Sequence, residues 1–162
     1  MEVEPKATLV FQVAGNLCGV AAADVQEIVF LPALTRVPGQ PAVLDGFLNL
    51  RGRAVPVITL GRLFDLAAPP ATLHTPLVIL DGRRPMALAV DRVEEVASVS
   101  EWLPVPENHS FNDCAIAAFQ FAGRGATLLD AGRILLEKER QLVAALEAGV
   151  QSEIDSLGPA FA

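Results

Sequence analysis

The chain has 162 residues, 52% of them hydrophobic, and carries 19 acidic against 12 basic side chains, a net charge of −7. That length fits one domain, or one domain with an added tail, and suffices to bury roughly 70% of the unfolded surface without staples. The apolar content excludes a disordered chain, and the acidic balance speaks against nucleic acid and against an anionic membrane surface, both of which need a basic face.

The elements follow in order. Thr8 to Val13 reads as a first strand, Ala14-Gly15-Asn16 as a turn and Leu17 to Val20 as the return strand. Ala21 to Asp24 suits a single helical turn, and Val25-Gln26-Glu27-Ile28-Val29-Phe30 alternates as a strand. Leu31 to Pro41, with Pro32, Pro38, Gly39 and Pro41, is a loop. Residues 44–60 form a hairpin. Gly61 to Thr75 is a connection in which Arg62 to Leu66 makes a helical turn stopped by Pro69-Pro70. Pro76 to Leu80 and Met86 to Val90 are strands joined at Asp81-Gly82-Arg83-Arg84, with Asp-Gly as the turn signal. Val93 to Val99 is a further strand, residues 103–113 are a proline-bearing loop, and Ala115 to Phe121 pairs with Ala126 to Leu129 around Gly123-Arg124-Gly125. Short strands with turns every 8–12 residues indicate an all-β sandwich or barrel. Each half holds a hairpin, an acid-bearing strand (Glu27; Glu94-Glu95) and a proline-rich loop, without a clear sequence repeat.

The end differs in kind. Ile134 to Leu157 reads as a helix with Asp130 as its N-cap. Leu142, Leu146, Val150, Ile154 and Leu157 form one apolar stripe, which must pack on the domain or on a partner; Gly158-Pro159 ends it.

The signals for catalysis are thin. His74 and His109 stand in loop sequence, with no second histidine, cysteine or carboxylate at metal-ligand spacing, so neither a metal nor a cofactor is expected. Glu94 and Glu95 are adjacent and would point to opposite faces of a strand. Gly123-Arg124-Gly125-Ala126-Thr127 lacks the spacing and the lysine of a phosphate loop, and Ser98 and Ser100 lack a nucleophile-elbow context. Cys18 and Cys114 have no partner spacing and read as small buried hydrophobes in a reducing compartment. Met1 to Lys6 shows no basic region followed by an apolar one, and no apolar run reaches the ~18 residues of a membrane span, so the expected location is the cytoplasm.

What remains is polar chemistry on an oily hairpin. Asn49-Leu50-Arg51-Gly52 sits between two apolar runs, with Gly52 shaping the turn through its access to positive φ. Asn49 either bonds the turn backbone or faces a partner; Arg51 either pairs with a nearby carboxylate or is presented; Glu27 is either a solvated edge residue or part of the same rim. A charged rim beside an apolar groove is the layout of a protein-binding site.

Val25-Gln26-Glu27-Ile28, then Gly46-Phe47-Leu48-Asn49-Leu50-Arg51-Gly52 with Val55-Pro56-Val57-Ile58, resembles the CheW-like domain of bacterial chemotaxis. Ala87 to Val96, around Val90-Asp91-Arg92-Val93, resembles that family's V-D-x-V-x-x-V strand pair, and Leu128-Leu129-Asp130 with Ile134-Leu135 its closing strand and helix. The resemblance spans about 7–137, leaving residues 1–6 as a tail and 138–162 as a helical extension past the family's usual end. It implies two intertwined SH3-like five-stranded β-barrels and a non-catalytic adaptor that needs no cofactor. Its implied partners are the cytoplasmic tip of a chemoreceptor, held in a groove between the subdomains, and the regulatory domain of the histidine kinase CheA, with recruitment to membrane-associated arrays. By match to the motif, Val25, Glu27, Ile28, Asn49 and Arg51 would face the receptor. Thr59 stands where the family often has Asp. The extra helix leaves room for a second reading, an adaptor that self-assembles through it or serves a pathway other than motility.

Overall fold

The computed structural model describes residues 2–30, 33–66, 74–81, 85–105, 114–135 and 137–157. The Pro69-Pro70 stop, the Gly82-Arg83-Arg84 part of a turn, His109 and the Gly158-Pro159 ending lie outside them. In chain order the strands are β1 (Glu2–Val13), β2 (Asn16–Ala21), β3 (Val25–Phe30), β4 (Leu44–Leu50), β5 (Arg53–Thr59), β6 (Pro76–Leu80), β7 (Met86–Ala89), β8 (Arg92–Glu101), β9 (Ala115–Phe121) and β10 (Arg124–Leu129). Helix α1 is Leu60–Leu63 and α2 is Glu137–Leu157, with 3-10 turns at Ala22–Asp24 and Ala131–Arg133. β1 thus starts at Glu2, ahead of the expected Thr8.

The strands form two five-stranded sheets, ordered β8-β1-β2-β10-β9 and β3-β6-β7-β5-β4. Each matches the other when strand numbers are advanced by five. Both contain one parallel pair, β2 with β10 and β5 with β7, and antiparallel pairs otherwise. Each half of the chain is a hairpin, a crossing strand and a second hairpin. The first hairpin goes to one sheet and the other three strands to its neighbour. The two-part pattern in the sequence is therefore real, but the halves are interlaced. Each sheet also curls shut. Past edge strand β3, Thr35 pairs with Phe47 of the opposite edge β4, with N–H···O bonds of 2.9 and 2.8 Å. Past edge strand β8, Leu103 pairs with Ala118 of the opposite edge β9, at 2.7 and 2.8 Å.

Burial explains why the central strands read as continuous apolar runs rather than alternating ones. Their two faces serve two cores. In β6, Leu77 and Ile79 line the inside of the second barrel while Val78 and Leu80 join a larger core. That core is shared between the barrels, because it also holds Leu9, Phe11, Val13, Cys18 and Val20 of β1 and β2. The inside of the first barrel takes Val10, Leu17, Val99, Phe119, Ala126 and Leu128. Both cysteines are buried and outside any disulfide, and burial, with Cys114 nearby, pushes the Cys18 thiol up to about 12. They are inert core groups, as their sequence context indicates.

α2 packs back on the domain, with one change from the expected face. Val143 and Val150 are 4% exposed and belong to the shared core, with Leu146 and Ile154 partly buried beside them. Leu142 is 46% exposed. Apolar residues at both 142 and 143 left the sequence ambiguous by one step, about 100° of helix rotation. The helix also begins later than expected. Asp130 caps the 3-10 turn instead, its Oδ1 accepting the Gly132 N–H at 3.0 Å. Ile134 and Leu135 then drop into the core before α2 begins.

Gly46 is the closest approach in the closure of the second barrel. Its φ is +144°, and a Cβ there would lie 2.8 Å from the Thr35 carbonyl oxygen. Gly46→Ala should therefore destabilise the protein by about 2–4 kcal/mol in chemical denaturation. On α2, Val143→Ala should cost about 1–3 kcal/mol and Leu142→Ala under about 0.5 kcal/mol in the same measurement.

Candidate functional site

The hairpin β4–β5 closes on Leu50 and Arg53, with Arg51 and Gly52 as its two-residue loop. Both loop residues have positive φ, 51° and 87°, the type I′ geometry whose twist matches the strands. Gly52 adopts it freely; Arg51 does so at a cost of about 1–2 kcal/mol. Asn49 supports the turn, its Oδ1 accepting the Gly52 N–H at 2.8 Å.

From this turn Arg51 reaches β3. Its Nη2 lies 2.8 Å from Glu27 Oε2 and its Nη1 3.4 Å from Oε1, a forked pairing on one carboxylate. The side chains are 65% and 30% exposed, so the pair adds little to stability and remains available at the surface. The hydrogen bond from Arg51 holds the Glu27 carboxyl below its ordinary range, and the carboxylate in turn holds the Arg51 guanidinium more firmly protonated. Val29, Leu34 and Leu50, from the strands and loop of the same barrel, lie partly buried against its inner core.

Of the residues singled out in the sequence, Glu27, Asn49, Arg51 and Gly52 come together. Val25 packs against the shared core. Ile28, the next residue after Glu27, points to the opposite face of β3 and is 42% exposed, in line with Phe30 at 68%. Glu94 and Glu95 also diverge: Gln12 Nε2 donates to Glu94, and Glu95 is exposed. A residue that local sequence did not flag is Gln151 of α2, whose side-chain amide meets the hairpin backbone at Gly52 and Ala54. Its partners lie about 100 positions away, and no local pattern marks it.

Thr59 has its own explanation. Asp45, 1% exposed, accepts from the Thr59 hydroxyl and from Arg62 Nη1 at 3.0 Å, and Arg62 also donates to the Ala42 carbonyl at 3.0 Å. An ionised Asp at 59 could not donate to Asp45. A separate cleft of about 520 Å³ lies among Leu80, Met86, Leu135 and Val143, with Asp24 and Arg140 at its lining, away from the turn. Among the described residues no group of three or more His, Cys, Asp or Glu is placed to hold a metal ion, and no helix is long and apolar enough to cross a membrane.

The depressed Glu27 carboxyl fixes the sign of a pH effect. The contribution of the pair is present above the ordinary carboxylate range and is lost as pH falls through the lowered folded value. An NMR titration should place the Glu27 midpoint below that of a model glutamate, and Arg51→Ala should return it to the ordinary range.

A family model described as the CheW-like domain matches residues 7–139. Chemotaxis protein CheW of Klebsiella aerogenes is 29% identical over 144 residues, covering 83% of this chain and 84% of that protein. Chemotaxis protein CheW of Rhizobium meliloti is 30% identical over 122 residues, 72% of this chain and 79% of that one. The crystal structure of the scaffolding protein TtCheW from Thermoanaerobacter tengcongensis superposes with a TM-score of 0.71 at 26% identity, covering 78% of this chain and 89% of that one. Two interlaced five-stranded barrels, the turn motif in its place and the match over residues 7–139 lead to one conclusion: this chain belongs to the CheW-like domain family.

Proposed function

We propose that the protein is a non-catalytic adaptor that couples the cytoplasmic tip of a chemoreceptor to the regulatory domain of the histidine kinase CheA. The observation that carries this reading is the Glu27–Arg51 pair: a forked, exposed ion pair on a preorganised turn. Preorganisation lowers the ordering cost of binding, and a rim charge pair fixes register and speeds encounter. Asn49 acts by holding the turn, and Arg51 and Glu27 supply the polar contacts. The names of the Klebsiella aerogenes and Thermoanaerobacter tengcongensis proteins, a chemotaxis protein and a scaffolding protein, support the same role. The adaptor works in the cytoplasm and is drawn to membrane-associated receptor arrays. The alternative of self-assembly through the C-terminal helix is disfavoured, because the apolar stripe of α2 is turned onto its own domain.

Arg51→Ala should leave the far-UV spectrum and the melting temperature essentially unchanged, while weakening capture by a receptor-tip fragment by about 5–50-fold. Its remaining affinity should also depend less on salt. A variant that binds as tightly as wild type would remove Arg51 from the interface. A wild-type chain that captures neither the receptor tip nor the kinase domain would overturn the adaptor role.

A further inference from the structure

The β4–β5 hairpin extends beyond its sheet. β5 runs from Arg53, but its pairing with β7 starts only at Val57, opposite Ala87. Among the described residues, the first half of β5 therefore has β4 on one side and no strand on the other. In a two-residue hairpin the closing pair, here Leu50 with Arg53, exchanges hydrogen bonds, and the alternation then turns the backbone groups of Ala54 and Pro56 outward. Pro56 has no N–H, so Ala54 carries the one outward donor of that stretch. Ala54 is fully buried, and an unmet N–H there would be costly.

Gln151 meets it. Its Oε1 accepts the Ala54 N–H at 2.8 Å, and its Nε2 donates to the Gly52 carbonyl at 2.9 Å and to Asp155 Oδ1 at 3.1 Å. A primary amide carries the same donor and acceptor as a peptide group, so Gln151 stands where the next strand would be. Asp155, one helical turn on, fixes which end is the nitrogen; the reversed amide would set oxygen against two oxygens. Val143 and Val150, buried in the shared core, hold the helix that presents it.

We propose that Gln151 is a positioning residue for the Arg51 turn: through Gly52 and Ala54 it ties the C-terminal helix to the binding corner and sets where the Glu27–Arg51 pair stands. Its effect on binding rests on the adaptor reading above; its effect on the turn does not.

Gln151→Met keeps the length and the apolar stem and removes both backbone contacts. Gln151→Glu keeps the acceptor for Ala54 and removes the donor to Gly52. In the Met variant, amide exchange at Ala54 should quicken about tenfold, with no change at Val57, and the Glu27 titration midpoint should move toward the ordinary carboxylate value. In the Glu variant, whose second carboxylate oxygen is set against the Gly52 carbonyl and Asp155 Oδ1, Ala54 exchange should also quicken and the Glu27 midpoint should still move. Receptor-tip capture should fall several-fold in both, with no further loss when Arg51→Ala is already present. A Met variant in which Ala54 exchange rises while the Glu27 midpoint stays put would overturn the proposal, leaving Gln151 as an edge cap. Unchanged exchange at Ala54 would overturn it as well. If exchange and titration both shift while receptor capture does not, the positioning role stands and the binding role of the turn fails.

Discussion

The constraint on which everything else depends is that the central strands are apolar on both faces. A strand such as Pro76–Leu80, buried at every position, has no solvent side. One barrel could satisfy only its inner face. The outer face has to meet a second apolar surface, and the chain supplies that surface from its own other half. The shared core, running from Leu9 and Phe11 on one sheet to Val78 and Leu88 on the other, is where the two requirements meet. Burial at about 25 cal/mol per Å² of apolar surface makes this shared layer the main force joining the barrels. α2 completes it from one side with Val143 and Val150.

The candidate site lies where that constraint relaxes. The tip of the β4–β5 hairpin runs past the point where β7 begins to pair with it, so its backbone needs other partners and its side chains reach solvent. Three polar side chains from three parts of the chain serve it: Asn49 within the hairpin, Glu27 from β3 and Gln151 from α2. The Glu27–Arg51 pair is too exposed to matter much for folding, and it is held in one geometry by contacts that do matter. A fixed arrangement of weakly stabilising groups is what a recognition surface requires.

Much of this was legible in the sequence, for local reasons. The type I′ turn follows from an X-Gly step between β-rich runs, and the strands from period-two and continuous apolar patterns, because both signals lie within a few residues. The pairing of Arg51 with Glu27 was one of two open readings. The structure shows that pairing, and it leaves the Arg51 side chain at the surface. The failures have physical causes. Neighbouring apolar residues at 142 and 143 made the buried face of α2 ambiguous. Asp130 is a sound capping residue, but the helix nearest to it is a 3-10 turn. Gln151 was invisible because a side-chain amide standing in for a strand is defined only by the tertiary fold.

The interlacing of the halves bears on how the protein comes off the ribosome. All five strands of the second barrel lie between Val25 and Ala89, so it can close as soon as that stretch has emerged. The first barrel cannot. The β1–β2 hairpin is made first and must wait, its apolar faces covered only by the growing second barrel, until β8, β9 and β10 arrive from the far end of the chain. The order of synthesis thus makes the second barrel a template on which the first is assembled. It also leaves an early hairpin exposed to the matching strands of a neighbouring nascent chain, the circumstance in which swapped dimers form.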